Sequence, residues 1–293
     1  MSNGSASLTT REFLDVALRT AAEEVQETTP AALADEPDAV HQHRVRVRRL
    51  RSVLAGFRDS LDREAVEDVR ARYRQWGREL GEVRDMEVRA EVAEQELASA
   101  GIEDPNMFRR LVAGDRAAHA RAHARLIALA ATPEADERRR ALVALVEASV
   151  IRDPDAPVAP LVAAVLAAQA RRVRKAVGRI DGGEESYHDV RKAARRLRYV
   201  AEAVARAAPG LYLAQVVELA TVGDALHDSL GGHRDALLFA DHVARERVLA
   251  QRAGESVEAY PAIEASARAA AAGKLAELPH ALHRLHAAAS DLR

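Results

Sequence analysis

Apolar residues along the chain recur at intervals of three and four, and no stretch alternates with period two for long enough to make a strand. The pattern predicts helices broken by proline and glycine. Thr10 is a good N-cap for a first helix, which reaches about Thr28 and is ended by Pro30. Further helices are predicted over about 38–59, 61–100, 105–131 and 133–151. Then comes Arg152-Asp-Pro-Asp-Ala-Pro-Val-Ala-Pro160, whose prolines make it the best linker in the chain. Beyond it the pattern restarts, with helices over about 158–180, 184–207, 209–230 and 232–253, the last two parted by Gly231-Gly232. A final helical stretch to the C-terminus breaks near Pro279.

The two sides of that linker resemble each other. His41-Gln-His-Arg44-Val-Arg-Val-Arg48-Arg49-Leu50-Arg51 matches His188-Asp-Val-Arg191-Lys192-Ala-Ala-Arg195-Arg196-Leu197-Arg198, with His, four cations and Leu recurring at an offset of 147. Further on, Leu80-Gly81-Glu-Val-Arg84-Asp85 matches Leu230-Gly231-Gly-His-Arg234-Asp235 at an offset of 150. Two motifs in the same order at nearly the same offset indicate an internal duplication. The expected organisation is a first helical bundle over 1–152, a linker over 153–160 and a second bundle over 161–293.

At about 100° per residue, His41, Arg44, Arg48 and Arg51 fall within roughly an 80° sector. Val47, Leu50, Leu54 and Phe57 form an apolar stripe beside them. The second copy repeats this with His188, Arg191, Arg195 and Arg198, while Arg49 and Arg196 lie off the ridge. From His41 to Arg58 there are six Arg and no Asp or Glu, in a chain whose formal net charge is -2. Like charges stacked at i,i+3 and i,i+4 destabilise a helix, and a polyanion would relieve them. The plain alternative is a solvated face, or pairing with acids such as Glu23, Glu24, Glu27, Glu79, Glu82 and Asp85. Recurrence of His and four cations at one spacing favours a binding face. Ridge cations about 5–6 Å apart suit a linear anion with closely spaced charges, and Arg suits bidentate phosphate contact.

Composition removes competing chemistries. With no cysteine there is no disulfide, thiolate metal site or cysteine nucleophile. Ten aromatics in 293 residues leave little for base stacking, so nucleic acid is disfavoured. No Walker-type glycine loop or nucleophile elbow is present. The N-terminal MSNGSASLTT lacks a signal-peptide pattern, and the apolar run 141–151 is too short to cross a bilayer, so the expected setting is cytoplasmic. Asp115, His119 and His123 have metal-ligand spacing on a helix, but they lie in an Ala/Arg/His-rich surface pattern, so no metal or other cofactor is expected.

The segments around His41 and His188, together with the two Leu-Gly-x-x-Arg-Asp motifs, resemble the CHAD domain, the conserved histidine α-helical domain, over essentially the whole chain. The resemblance implies an all-α fold of two antiparallel four-helix bundles related by a pseudo-twofold axis. It implies a non-enzymatic protein that binds inorganic polyphosphate on a basic surface or channel between the bundles, and by extension one that associates with polyphosphate granules. Carried over by position, the phosphate contacts are His41, Arg44, Arg48, Arg49 and Arg51, and His188, Arg191, Lys192, Arg195, Arg196 and Arg198. The catalytic triphosphate-tunnel (CYTH) domain that some such proteins carry is not expected within these 293 residues. One departure concerns the helix before the second motif, which is basic where its counterpart is acidic; Arg171, Arg174 and Lys175 are therefore expected to add contacts. An HD-type metal-dependent phosphohydrolase, built on His188-Asp189 and His227-Asp228, is the main alternative, and a nonspecific RNA binder the lesser one.

Overall fold

A computed structural model describes residues 8–276 and 278–290. Its elements are helices α1 (Thr10–Leu33), α2 (Ala39–Phe57), α3 (Arg63–Ser99), α4 (Pro105–Phe108), α5 (Gly114–Ala130), α6 (Pro133–Glu147), α7 (Val158–Val177), α8 (Glu184–Ala207), α9 (Leu213–Arg252), α10 (Tyr260–Leu275) and α11 (Leu278–Ser290). A 3₁₀ turn, Arg58–Ser60, follows α2, and a π-helical segment, Arg109–Ala113, joins α4 to α5. The fold is all-α, as expected.

Two breakers behave differently from their sequence reading. Pro30 lies inside α1, which continues to Leu33. A proline so near the C-terminus costs one backbone bond, and here the Thr28 and Thr29 hydroxyls donate to carbonyls of the preceding turn. Gly231 and Gly232 do not separate two helices but sit within the 40-residue α9. A Cβ on Gly232 would come 3.2 Å from the Lys274 side chain, so the glycine permits close approach of α10.

The contacts also divide the chain otherwise than at 153–160. One compact unit contains 1–77, 131–227 and 279–293; the other contains 78–130 and 228–278. Each unit thus draws on both sequence halves, and α3 and α9 contribute to both. The proline-rich segment is bonded into the first unit rather than spanning between halves. Its Pro154 and Ala156 carbonyls accept from the Arg11 and Thr10 amides at 2.9 Å, satisfying orphan donors at the start of α1. Thr9 completes that end with a capping box to Glu12.

In the first unit α1 packs on α2, α7 packs on α8, and α2 runs beside α8. Its core includes Phe13, Leu50, Leu54 and Phe57 on one side and Val190, Leu197, Val200 and Val204 on the other, all essentially inaccessible. Small residues bring the helices close. A Cβ on Gly56 would meet Val200 Cγ2 at 2.7 Å, and one on Gly223 would lie 2.9–3.1 Å from the α8 backbone. The second unit is built on its own cluster, which includes Leu97, Met107, Leu111, Phe239, Tyr260 and Ile263.

A buried histidine, His43, ties three helices of the first unit together. The Trp76 indole N–H donates to its Nε2 at 2.8 Å, so the neutral ring carries its proton on Nδ1 and donates to Thr28 Oγ1 at 2.9 Å. Burial holds its pKa at about 4, with the Arg138 charge adding to the effect. The unfolded chain therefore takes up this proton first as pH falls. The stabilisation is complete above the ordinary histidine value and is lost between about pH 6.5 and 4, by roughly 3 kcal/mol in all. The difference in unfolding free energy between wild type and His43→Gln, followed by urea titration across this range, should narrow by that amount. A pH-independent difference would show that His43 is not buried neutral.

Candidate anion-binding site

The two motif helices meet. Arg48 of α2 and Arg195 of α8, equivalent positions in the two copies, lie in the same electrostatic environment, with Arg44 and Arg191 one turn away on each helix. The apolar stripes of α2 and α8 drive this, because burying both beside the Gly56–Val200 contact forces the adjoining ridges together. Among the described residues no carboxylate lies within salt-bridge distance of Arg48, Arg191 or Arg195. Burial, then the neighbouring Arg44 and Arg195 charges, pull Arg48 down to about 9; burial and the Arg191 charge pull Arg195 down to about 10. Arg191 Nε is buried without an acceptor. Four guanidinium groups thus gather in one place, two of them with strongly depressed pKa values.

The remaining ridge cations fall into different roles. Arg49 is buried and donates to Glu24 at 2.9 and 3.1 Å and to Glu202 at 2.7 Å. Arg198 pairs with Glu202 at 2.7 Å and with Asp224. Both guanidinium groups lie over the buried Tyr199 ring, at 5.6 and 5.5 Å from its centroid. Arg46 and Arg206 also pair with Glu24. Arg49 and Arg198, expected from sequence as phosphate contacts, are therefore paired with acids within the fold, and their pairs link α1, α2, α8 and α9. Off-ridge placement was the signal for Arg49; Arg198 lies within the ridge sector, and the sequence held no sign that Asp224 would reach it.

His41 stands in the first turn of α2 and His188 in the second turn of α8, both half-buried. Arg51 is half-buried, with Nη1 3.4 Å from where a Cβ on Gly77 would lie. Arg196 turns away from Arg195 toward Arg172, Arg70 and Arg58, and burial among those charges lowers it to about 10. Lys192 is exposed and pairs with Asp189 at 2.6 Å. Of the basic α7 residues, Lys175 lines a cleft with Lys192 and Arg196, while Arg171 is exposed and Arg174 half-exposed outside that cleft. Arg172 and Arg179, not among the residues carried over by position, join Lys175 there.

The helix residues with metal-ligand spacing have these contacts. The Asp115 carboxylate accepts from Arg89 Nε and Nη2 at 3.0 and 2.9 Å, and His119 and His123 stack on each other at 6.1 Å. Among the described residues no group of three His, Asp or Glu side chains is placed to hold a metal ion. Among the described residues, too, no helix is long and apolar enough to cross a membrane.

The model of the CHAD domain family matches residues 16–244. Two curated proteins of Mycobacterium tuberculosis, Uncharacterized protein MT2285 and Uncharacterized protein Rv2226, are each 28% identical over 244 residues, covering 78% of this chain and 44% of theirs. The chain therefore spans less than half the length of these relatives. Among solved structures, PptA from Streptomyces chartreusis superposes with a TM-score of 0.68 at 20% identity, covering 96% of this chain and 99% of that one. The CHAD domain from the plant Ricinus communis superposes at 0.66 with 22% identity, covering 98% and 94%. The likeness to both is one of fold.

The depressed arginine pKa values carry an expectation for the free protein. Each charged guanidinium is held at a cost that the unfolded chain does not bear, so an uncharged residue of similar length relieves it. Arg48→Met should raise the melting temperature in phosphate-free buffer, by roughly 2–4 °C for each kcal/mol relieved. A lower melting temperature in this variant would mean that Arg48 is compensated within the fold.

Proposed function

The chain belongs to the CHAD domain family, and on that premise we propose that it binds inorganic polyphosphate between the motif helices α2 and α8. The observation that carries the reading is the gathering of Arg44, Arg48, Arg191 and Arg195, from motifs 147 residues apart in sequence, into one cation cluster. An anion of high linear charge density removes the mutual repulsion and supplies acceptors to buried N–H groups. Guanidinium forks match phosphate oxygens two at a time, where a lysine would act as a point charge. The bracing pairs of Arg49 and Arg198 hold the forks in place before the anion arrives, which lowers the ordering cost of binding.

The reading is one of binding without turnover, with granule association as its cellular expression. The acids near the site are engaged with cations: Glu24 with Arg46, Arg49 and Arg206, Glu202 with Arg49 and Arg198. His41, Arg51 and His188, on or beside the ridges, are retained as contacts toward the ends of the bound chain.

Binding should be tested by calorimetry against long-chain polyphosphate. The affinity should fall steeply with salt, the log–log slope changing by about 0.7–0.9 per phosphate contacted, by analogy with counterion release on nucleic acids. Arg48→Gln with Arg195→Gln should cost roughly 3–6 kcal/mol, two charge-assisted contacts at about 1.5–3 each, with helix content intact. Unchanged affinity in the double variant would remove the α2–α8 cluster as the site. Release of inorganic phosphate on adding divalent metal would favour the phosphohydrolase instead, and displacement of polyphosphate by equimolar RNA would favour the nucleic-acid reading.

A further inference from the structure

The first unit carries a second concentration of cations that the α2–α8 site does not use. Consecutive residues on a helix point about 100° apart, so Arg195 and Arg196 face different neighbours. Arg195 lies in the field of Arg191 and Arg44, whereas Arg196 lies chiefly in that of Arg172 of α7, Arg70 of α3 and Arg58 of the 3₁₀ turn, with Arg195 contributing least. Arg196 opens into a cleft of about 570 Å³. Arg172 and Lys175, a turn apart on α7, and Arg179, just past its C-terminus, line the same cleft.

Three acids also border it, against the five cations Arg172, Lys175, Arg179, Lys192 and Arg196. Asp189 is paired with Lys192 at 2.6 Å, and Asp181 accepts from the Gly183 amide of its own loop at 2.8 Å. Glu185 completes the set. Among the described residues no carboxylate lies within salt-bridge distance of Arg172, Lys175, Arg179 or Arg196. Arg172 spends one N–H on Gln169, and Arg70, beside the cleft rather than lining it, pairs with Glu67. The cleft therefore combines unmatched charge and open volume.

We propose that this cleft is a second anion subsite, which takes the continuation of a polyphosphate chain leaving the α2–α8 cluster around α8 and so makes the protein prefer long chains to short ones. The inference rests on the polyphosphate reading of that cluster. Because Arg195 and Arg196 are adjacent, a chain passing from one side of α8 to the other stays in contact with cations throughout. A tripolyphosphate is satisfied by the α2–α8 cluster alone. A long chain engages both sites, and its second contact forms at high effective concentration.

The test compares tripolyphosphate and long-chain polyphosphate binding by calorimetry for wild type and for Arg172→Gln with Arg196→Gln. A second variant, Lys175→Gln with Arg179→Gln, changes only exposed side chains and guards against a folding effect. The expected result is tripolyphosphate affinity within twofold of wild type and a loss of about tenfold or more for the long chain. The long-chain salt slope should shrink by roughly 1.5–2, two contacts' worth, while the tripolyphosphate slope stays put. Long-chain affinity and slope equal to wild type in both variants would overturn the subsite and leave the α2–α8 reading standing. Parallel losses for both ligands would make the cleft part of a single short-chain site and overturn its role in length preference. A wild type that binds neither ligand would sink both readings.

Discussion

Four arginines are held together in the first unit, three of them, Arg48, Arg191 and Arg195, with no carboxylate in salt-bridge distance among the described residues, and much of the unit can be understood as the means of doing so. Arg44, Arg48, Arg191 and Arg195 repel one another, and burial of Arg48 and Arg195 strengthens that repulsion by removing water. The opposing force is apolar. Leu50 and Leu54 on α2, and Leu197, Val200 and Val204 on α8, are buried at about 1.5–3 kcal/mol each. Gly56 lets Val200 approach at a distance no side chain at that position would allow. The ridges come together because the stripes beside them must.

Behind the cluster the electrostatics are the reverse. Glu24 and Glu202 gather Arg46, Arg49, Arg198 and Arg206 into matched pairs, with Tyr199 filling the space beneath two of them. Neighbouring residues on one helix thus differ: Arg49 is paired with Glu24 and Glu202, whereas no carboxylate among the described residues lies within salt-bridge distance of Arg48.

The helical ridges were legible because spacing alone decides which residues share a helix face, and the recurrence of His, Arg and Leu in two motifs marked that face as more than a solvated surface. The end of α8 at Ala207 followed from local pattern as well. What was not legible depends on partners far away in sequence. Pro30 reads as a stop, yet Thr28 and Thr29 back-bond and the helix continues. Gly231-Gly232 reads as a break, whereas it makes room for Lys274. The segment 153–160 reads as a linker, and its carbonyls instead cap α1 across nearly 150 residues of chain. Nothing in the spacing singles out His43; its bonds to Trp76 and Thr28 make it a neutral core group.

On the proposed reading the anion lies between α2 and α8, on Arg48 and Arg195. A crystal structure of the protein with tripolyphosphate would locate it. Phosphate oxygens are expected within hydrogen-bond distance of both the Arg48 and Arg195 guanidinium groups, with the Arg49 and Arg198 pairs to Glu24 and Glu202 unbroken. Phosphate bound instead to Arg49 or Arg198 with those pairs opened, or bound where neither Arg48 nor Arg195 touches it, would rule out this placement.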